Sequence, residues 1–226
     1  MMKKLILGIF TGMLLFTPTH LWAEDDFQYW QRLQIKAIDT KHVDYITYGE
    51  LRFLDDVSDF GFWQASQKLQ LDPIKYLQLG VNYTYLQNEA VDTKTKKKDF
   101  KSHHRLELEI NPYYQVTHWL KFKTRNRLEF RWIEDAGSDN ARFRHMDELE
   151  FPLKHLGPLQ SIYANNEFFV DFNRERIVEN RVIPIGLTFK LYKKTTFKIF
   201  YLIQSKRGSR DWSSNQVLGS QLSLAF

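Results

Sequence analysis

The sequence predicts an all-β protein, a closed antiparallel transmembrane β-barrel of about 10–12 strands. Three observations predict it: an export leader at the N-terminus, an apolar–polar alternation of period two along the rest of the chain, and a final segment ending on an aromatic residue.

The leader comes first. Lys3 and Lys4 give a positive start, Leu5 to Phe16 is an apolar run, and Thr17 to Ala23 follows, with Pro18 breaking any helix. That is the layout of a secretory signal peptide over residues 1–23, and the apolar run is too short to span a bilayer as a helix. Of 226 residues 23 leave with it, so residues 24–226 form one domain. Two of the 32 basic side chains leave as well, so 30 face 27 acidic ones and the net charge falls from +5 to +3. These charges are mixed along the chain, which speaks against nucleic acid as a partner. The absence of cysteine excludes both a lipid anchor on an N-terminal cysteine and structural disulfides.

Alternation carries the body of the chain. In Trp119 to Trp132, Leu120, Phe122, Leu128, Phe130 and Trp132 share one parity, while Lys121, Lys123, Arg125, Arg127, Glu129 and Arg131 hold the other. A helix would scatter these residues around its surface; a strand sorts them onto two faces. Residues 101–110 and 141–153 repeat the pattern. Further strands are expected near 27–38, 44–54, 59–71, 74–87, 159–172, 176–191, 196–206 and 214–226. Short connections fall near Asp39–His42, Asp72–Pro73, Asn111–His118, Lys154–Pro158 and Tyr192–Lys194. More polar ones fall near Asp55–Ser58, Asn88–Asp99, Glu134–Asn140, Asn173–Glu175 and Lys206–Asp211. Short turns at one end and polar loops at the other are the asymmetry of an outer-membrane barrel.

Leu218, Leu222, Leu224 and the terminal Phe226 lie on one parity, like the closing strand that the barrel-assembly machinery reads. A closing strand that descends to the periplasm makes the first of eleven segments descend too. The expected strand number is therefore a range.

In Asp26–Gln31 (DFQYWQ), Gly49–Asp56 (GELRFLDD), Arg125–Arg131 (RNRLEFR), Arg142–Leu153 (RFRHMDELEFPL), Asn166–Asn173 (NEFFVDFN), Asn180–Leu191 (NRVIPIGLTFKL) and Val217–Phe226, the sequence resembles the DUF2490 family. These are bacterial proteins of unknown function predicted to be outer-membrane barrels. The motifs are short and degenerate, and their succession over nearly all of the mature chain carries the resemblance. His145, Met146 and Asp147 interrupt the usual Arg-rich spacing of their segment. The resemblance implies the fold and the outer membrane of a Gram-negative-type bacterium, and it supplies no catalytic residues to carry over.

A bilayer demands a fully paired backbone, so the strands must close around a lumen. The leader and Phe226 assign the apolar parity to lipid and the charged parity to that lumen. The lumen-facing set is Arg32, Glu50, Arg52, Arg105, Glu107, Glu109, Arg125, Arg127, Glu129, Arg131, Arg142, Arg144, Glu148, Glu150 and Glu167. Charges at low dielectric must pair across strands or meet water. One reading is an ion-pair network that fills the barrel. Another is a small-solute or ion passage, or an anion site, centred on Arg125, Arg127 and Arg131, whose guanidinium forks suit carboxylate and phosphate.

A third reading is a barrel enzyme acting on lipid or peptide. Ser102, His103, His104, His118 and His145 lie near Glu107 and Glu109 in sequence or at strand ends, but no nucleophile, base and orienting group stand out. Adjacent His103 and His104 point to opposite faces of a strand and do not chelate jointly. Asp55, Asp56 and Asp59 read as a solvated acidic turn. No catalytic, cofactor or metal site is therefore assigned. Trp30, Trp63, Tyr83, Tyr85, Trp119 and Trp132 are expected to form aromatic girdles at the two membrane interfaces. The expected partners are outer-membrane lipid and the barrel-assembly machinery, for a monomer.

Overall fold

The alternation resolves into eleven strands among the residues that the computed structural model describes, which are 26–91, 95, 97–135, 140–153, 156–209 and 211–226. The expected signal peptide lies outside the described residues. In chain order the strands are β1 (Asp26–Asp39), β2 (Val43–Leu54), β3 (Asp59–Ile74), β4 (Leu77–Val91), β5 (Lys98–Thr117), β6 (Leu120–Ile133), β7 (Asn140–Pro152), β8 (Leu159–Asp171), β9 (Arg176–Tyr192), β10 (Thr195–Arg207) and β11 (Trp212–Ala225). Each pairs antiparallel with the next, and the sheet closes into a barrel.

The closing seam departs from the antiparallel expectation. β1 and β11 run parallel, in register from Asp26↔Asn215 to Lys36↔Ala225. An odd number of strands requires this, because ten successive reversals leave the first and last pointing the same way. The first segment is thus a full wall strand, bonded on both edges. At the far end of the seam the Phe226 N–H donates to the Lys36 carbonyl at 3.1 Å. The start of β1 and the end of β11 consequently lie at opposite ends of the barrel.

Connections at one end are tight. β3 runs on through Pro73 to Ile74, so the turn is Lys75–Tyr76, and β5 runs through the expected connection to Thr117, so the turn there is His118–Trp119. At the other end β4 reaches Val91 and β5 begins at Lys98, with register pairing continuing to Val91↔Lys98. Much of the expected polar loop over Asn88–Asp99 is therefore hairpin. It overruns both neighbours, since β3–β4 pairing ends at Asn88 and β5–β6 pairing ends at His103.

Two prolines fall where pairing slips. Pro73 falls within the register shift between Leu71 and Ile74, and Pro184 within shifts against both β10 and β8. A residue without an N–H is tolerated inside a sheet where the ladder is already interrupted. Two glycines admit rings from the neighbouring strand. A Cβ on Gly186 would fall inside the Tyr163 ring, and one on Gly219 inside the Phe200 ring.

The polarity of the two faces is inverted relative to a soluble barrel. Outward side chains include Leu69 at 45%, Val81 at 50%, Ile110 at 55% and Ile185 at 50% exposure. Inward ones include Glu50, Glu107, Glu109 and Glu129, all buried. The lumen holds one apolar cluster, formed by Trp30, Tyr163, Ile183, Phe200, Leu202 and Val217 under β1 and β8–β11.

Candidate functional site

The lumen wall is built by register. Opposite β5 and β6, Arg105 faces Arg131, Glu107 faces Glu129 and Glu109 faces Arg127. Between β6 and β7, Glu129 faces Arg142 and Arg127 faces Arg144. Like charges therefore meet directly in three pairs, which is unfavourable unless opposite charge reaches them diagonally.

It does. Arg127 reaches Glu109 at 2.5 Å and Glu107 at 3.1 Å, with Glu129 at 3.8 Å. Glu129 accepts hydrogen bonds from Arg142 Nε at 2.8 Å and Arg144 Nη1 at 2.7 Å. Arg144 and Arg125 share Glu167, at 2.9 and 2.7 Å. Arg131 pairs with Asp171 at 3.0 Å. Lys68 adds a second cation to Glu109 at 2.6 Å, and Lys123 holds Glu148 and Glu150 at 2.9 and 2.6 Å. On the other side of the barrel Glu50 pairs with Arg32 and, at 2.5 Å, with Arg52. Each carboxylate offers several acceptor sites, and guanidinium forks fill them.

Fourteen of the fifteen residues expected in the lumen are thus in ion pairs. Arg105 is the exception. Arg125, Arg127 and Arg131, expected as the centre of an anion site, each hold a carboxylate of this chain.

The sequence reading missed part of the wall. Arg181 bonds Glu179 at 2.6 Å, and the alternation of Glu179 and Arg181 in β9 was the signal for both. It also misplaced Trp30. That ring is fully buried in the lumen, not at an interface, because Trp30 shares the parity of Gln28 and Arg32. The guanidinium of Arg52 lies 3.7 Å from its centroid and that of Arg181 5.1 Å. Phe169 forms a second inner plate, with Arg144 at 4.4 Å, Arg181 at 4.7 Å and Arg142 at 4.8 Å. Stacked guanidinium groups keep their edges free for carboxylates. Trp63 and Tyr85 meet edge to face on the outer surface, 5.4 Å apart, and Tyr83, Trp119 and Trp132 are exposed there.

The histidines do not converge. His103 lines the lumen, while His104 turns outward and its Nδ1 lies 2.6 Å from the Tyr83 hydroxyl. His145 contacts Asn126 at 2.8 Å, and the Ser102 hydroxyl lies with those of Tyr85 and the Gln87 amide. Among the described residues no three His, Asp or Glu side chains gather as a metal site. In the acidic turn Asp59 binds Lys98, and the Asp56 N–H donates to Asp26 at 3.0 Å.

Between the ion-paired wall and the aromatic plates runs a cavity of about 600 Å³. Arg52, Arg105, Arg181, Lys198 and Lys206 line it with Gln64 and Gln204. Lys198 lies 5.2 Å from the Tyr163 ring, and Lys206 stands one residue from the end of β10.

No curated protein matches the chain. The profile of the family described as protein of unknown function (DUF2490) matches residues 27–215. That match covers most of the chain and includes all eleven strands in whole or in part, and the chain belongs to the DUF2490 family.

Proposed function

We propose that this protein is a monomeric outer-membrane β-barrel of a Gram-negative-type bacterium, exported by its N-terminal leader and folded through its C-terminal strand. Its lumen is closed to free ion flow and holds, rather than conducts, small solutes. The observation that carries this reading is the inverted polarity: Leu69, Val81, Ile110 and Ile185 face out, while Glu107, Glu109, Arg127 and Glu129 are buried within. Large apolar side chains spread over an outer surface fit a lipid environment, and water disfavours them around a charged interior. Strands of 12–20 residues exceed the roughly 9–11 that a tilted strand needs to cross the hydrocarbon core.

The closed-lumen reading is supported by the ion pairs that link β5, β6, β7 and β8 along one side of the interior, and by the Arg52 and Arg181 guanidinium groups over the Trp30 ring. The non-catalytic reading is supported by the placement of Ser102 outside and His103 inside, which separates that serine from the histidine next to it in sequence.

Single-channel recording of the refolded protein in a planar bilayer tests the reading, beside an Arg127→Ala variant. A silent bilayer with heat-resistant, inserted parent protein is the expected result. Discrete openings of the parent, with altered ion selectivity in the variant, would make the arginine row a pore lining and overturn it.

A further inference from the structure

We infer that the lumen cavity is a binding site for a small organic or inorganic anion, a carboxylate or a phosphate, centred on Arg105. Arg105 lies two residues from Glu107 on β5 and diagonal to Glu129 on β6, so these are the carboxylates in its reach. Both are occupied. Glu107 takes Arg127 at 3.1 Å and the amide of Asn82, and Glu129 takes Arg142 and Arg144 with Arg127 close by.

Arg105 therefore lines the cavity with no ion pair among the described residues, and its Nε is buried without a hydrogen-bond partner. Leaving a guanidinium unpaired in a site otherwise filled by matched charges is costly, and an anion entering the cavity removes that cost. Two further cations point the same way. Lys198, over the Tyr163 ring, and Lys206, near the loop-end mouth, also line the cavity, and among the described residues neither has a carboxylate in ion-pair distance. His103, on the same face of β5, adds a neighbouring donor.

The volume, about 600 Å³, falls within the range of small-molecule sites. Gln64, Gln204 and Gln221 offer neutral donors and acceptors to the rest of such a ligand. A macromolecular anion does not fit inside a lumen of this size. The inference concerns the cavity alone and does not depend on where the barrel resides.

Isothermal titration of the folded protein in detergent micelles tests it, with inorganic phosphate and succinate as separate probes. The expected result is saturable binding of at least one probe at one site per chain. Arg105→Gln should weaken it at least tenfold, and Arg105→Lys less. Lys206→Gln, at the mouth, provides a second variant with a smaller loss. Folding of each variant is checked by heat-modifiable migration, and removal of an unpaired charge leaves that unchanged. Binding of phosphate but not succinate, or the reverse, identifies the headgroup. No saturable binding of either probe, or equal affinity in the parent and folded Arg105→Gln, would overturn the inference. A conducting bilayer combined with lost binding in Arg105→Gln would sink the closed-lumen reading and leave this one standing.

Discussion

Glu107 and Glu129 face each other in register across β5 and β6, two buried carboxylates side by side inside the barrel. Their repulsion is overcome by arginines from β6 and β7: Arg127 between them, and Arg142 and Arg144 on Glu129. No single pair is separable from this arrangement. Glu129 is shared by Arg142 and Arg144, Arg127 spans Glu107 and Glu109, Arg144 spans Glu129 and Glu167, and Arg142 stacks on Phe169.

Glu129 is accordingly the most sensitive position of the wall. Glu129→Gln leaves the Arg142 and Arg144 side chains crowded without their common carboxylate, while the shape is kept. Removing one partner from a buried pair costs about 3–5 kcal/mol. Reversible urea unfolding in micelles should show a loss of that order, whereas Arg105→Gln should lose nothing. Equal stability of Glu129→Gln and the parent would contradict the network.

Gly219 provides a packing test that does not involve charge. The Phe200 ring occupies the space of the missing Cβ, so Gly219→Ala overpacks the lumen. The expected cost is about 1–3 kcal/mol, read in the same unfolding experiment. In a Phe200→Leu background the penalty should shrink, because the ring that blocks the methyl is gone. An undiminished penalty would place the strain in the backbone of β11.

The protruding β4–β5 hairpin is tied to β3 at the rim by Lys98, which binds Asp59 and lies 3.1 Å from Glu89. The Lys98 hydrogen bond, followed by its charge, holds the Asp59 carboxyl below its ordinary value of 3.8. A depressed carboxylate adds stability that is present above its unfolded pKa and lost as pH falls through the folded one. The tie thus persists at neutral pH and releases only in acid below 3.8. A carbon-13 titration of the Asp59 carboxyl should give a midpoint under 3.8, rising toward it in Lys98→Met. A parent midpoint at or above that value would remove Lys98 as the cause.

The residues that were legible in the sequence are those fixed by parity. Alternation in β5, β6 and β7 was enough to gather Arg105, Glu107, Glu109, Arg125, Arg127, Glu129, Arg131, Arg142 and Arg144 on one face. Trp30 was equally legible by parity, and was misplaced because an aromatic identity suggested an interface. The run of β5 past Asn111 was hidden, since Pro112 and Tyr113–Thr117 do not alternate cleanly; the strand there is imposed by pairing with β6. Parallel closure was not expected: an odd count of eleven segments implies it, because strand count fixes direction, but the odd count led only to a range of strand numbers. What parity cannot supply is register. Whether Arg127 meets Glu107 or another acid depends on how far β6 is staggered against β5, so the paired wall and the unpaired Arg105 emerge only with the barrel closed.

The most direct test of the account uses the absence of native cysteine. A nitroxide spin label is attached at Val81→Cys, on the apolar outer face, and at Thr84→Cys, fully buried on the inner one. Collision with molecular oxygen, which concentrates in the hydrocarbon core, is then compared with collision against a water-soluble nickel complex in the bilayer-reconstituted protein. The account predicts that the label at position 81 meets oxygen and is shielded from nickel, while that at 84 meets oxygen far less. A label at 81 that collides freely with the nickel complex would contradict a lipid-facing apolar surface, and with it the membrane-spanning barrel.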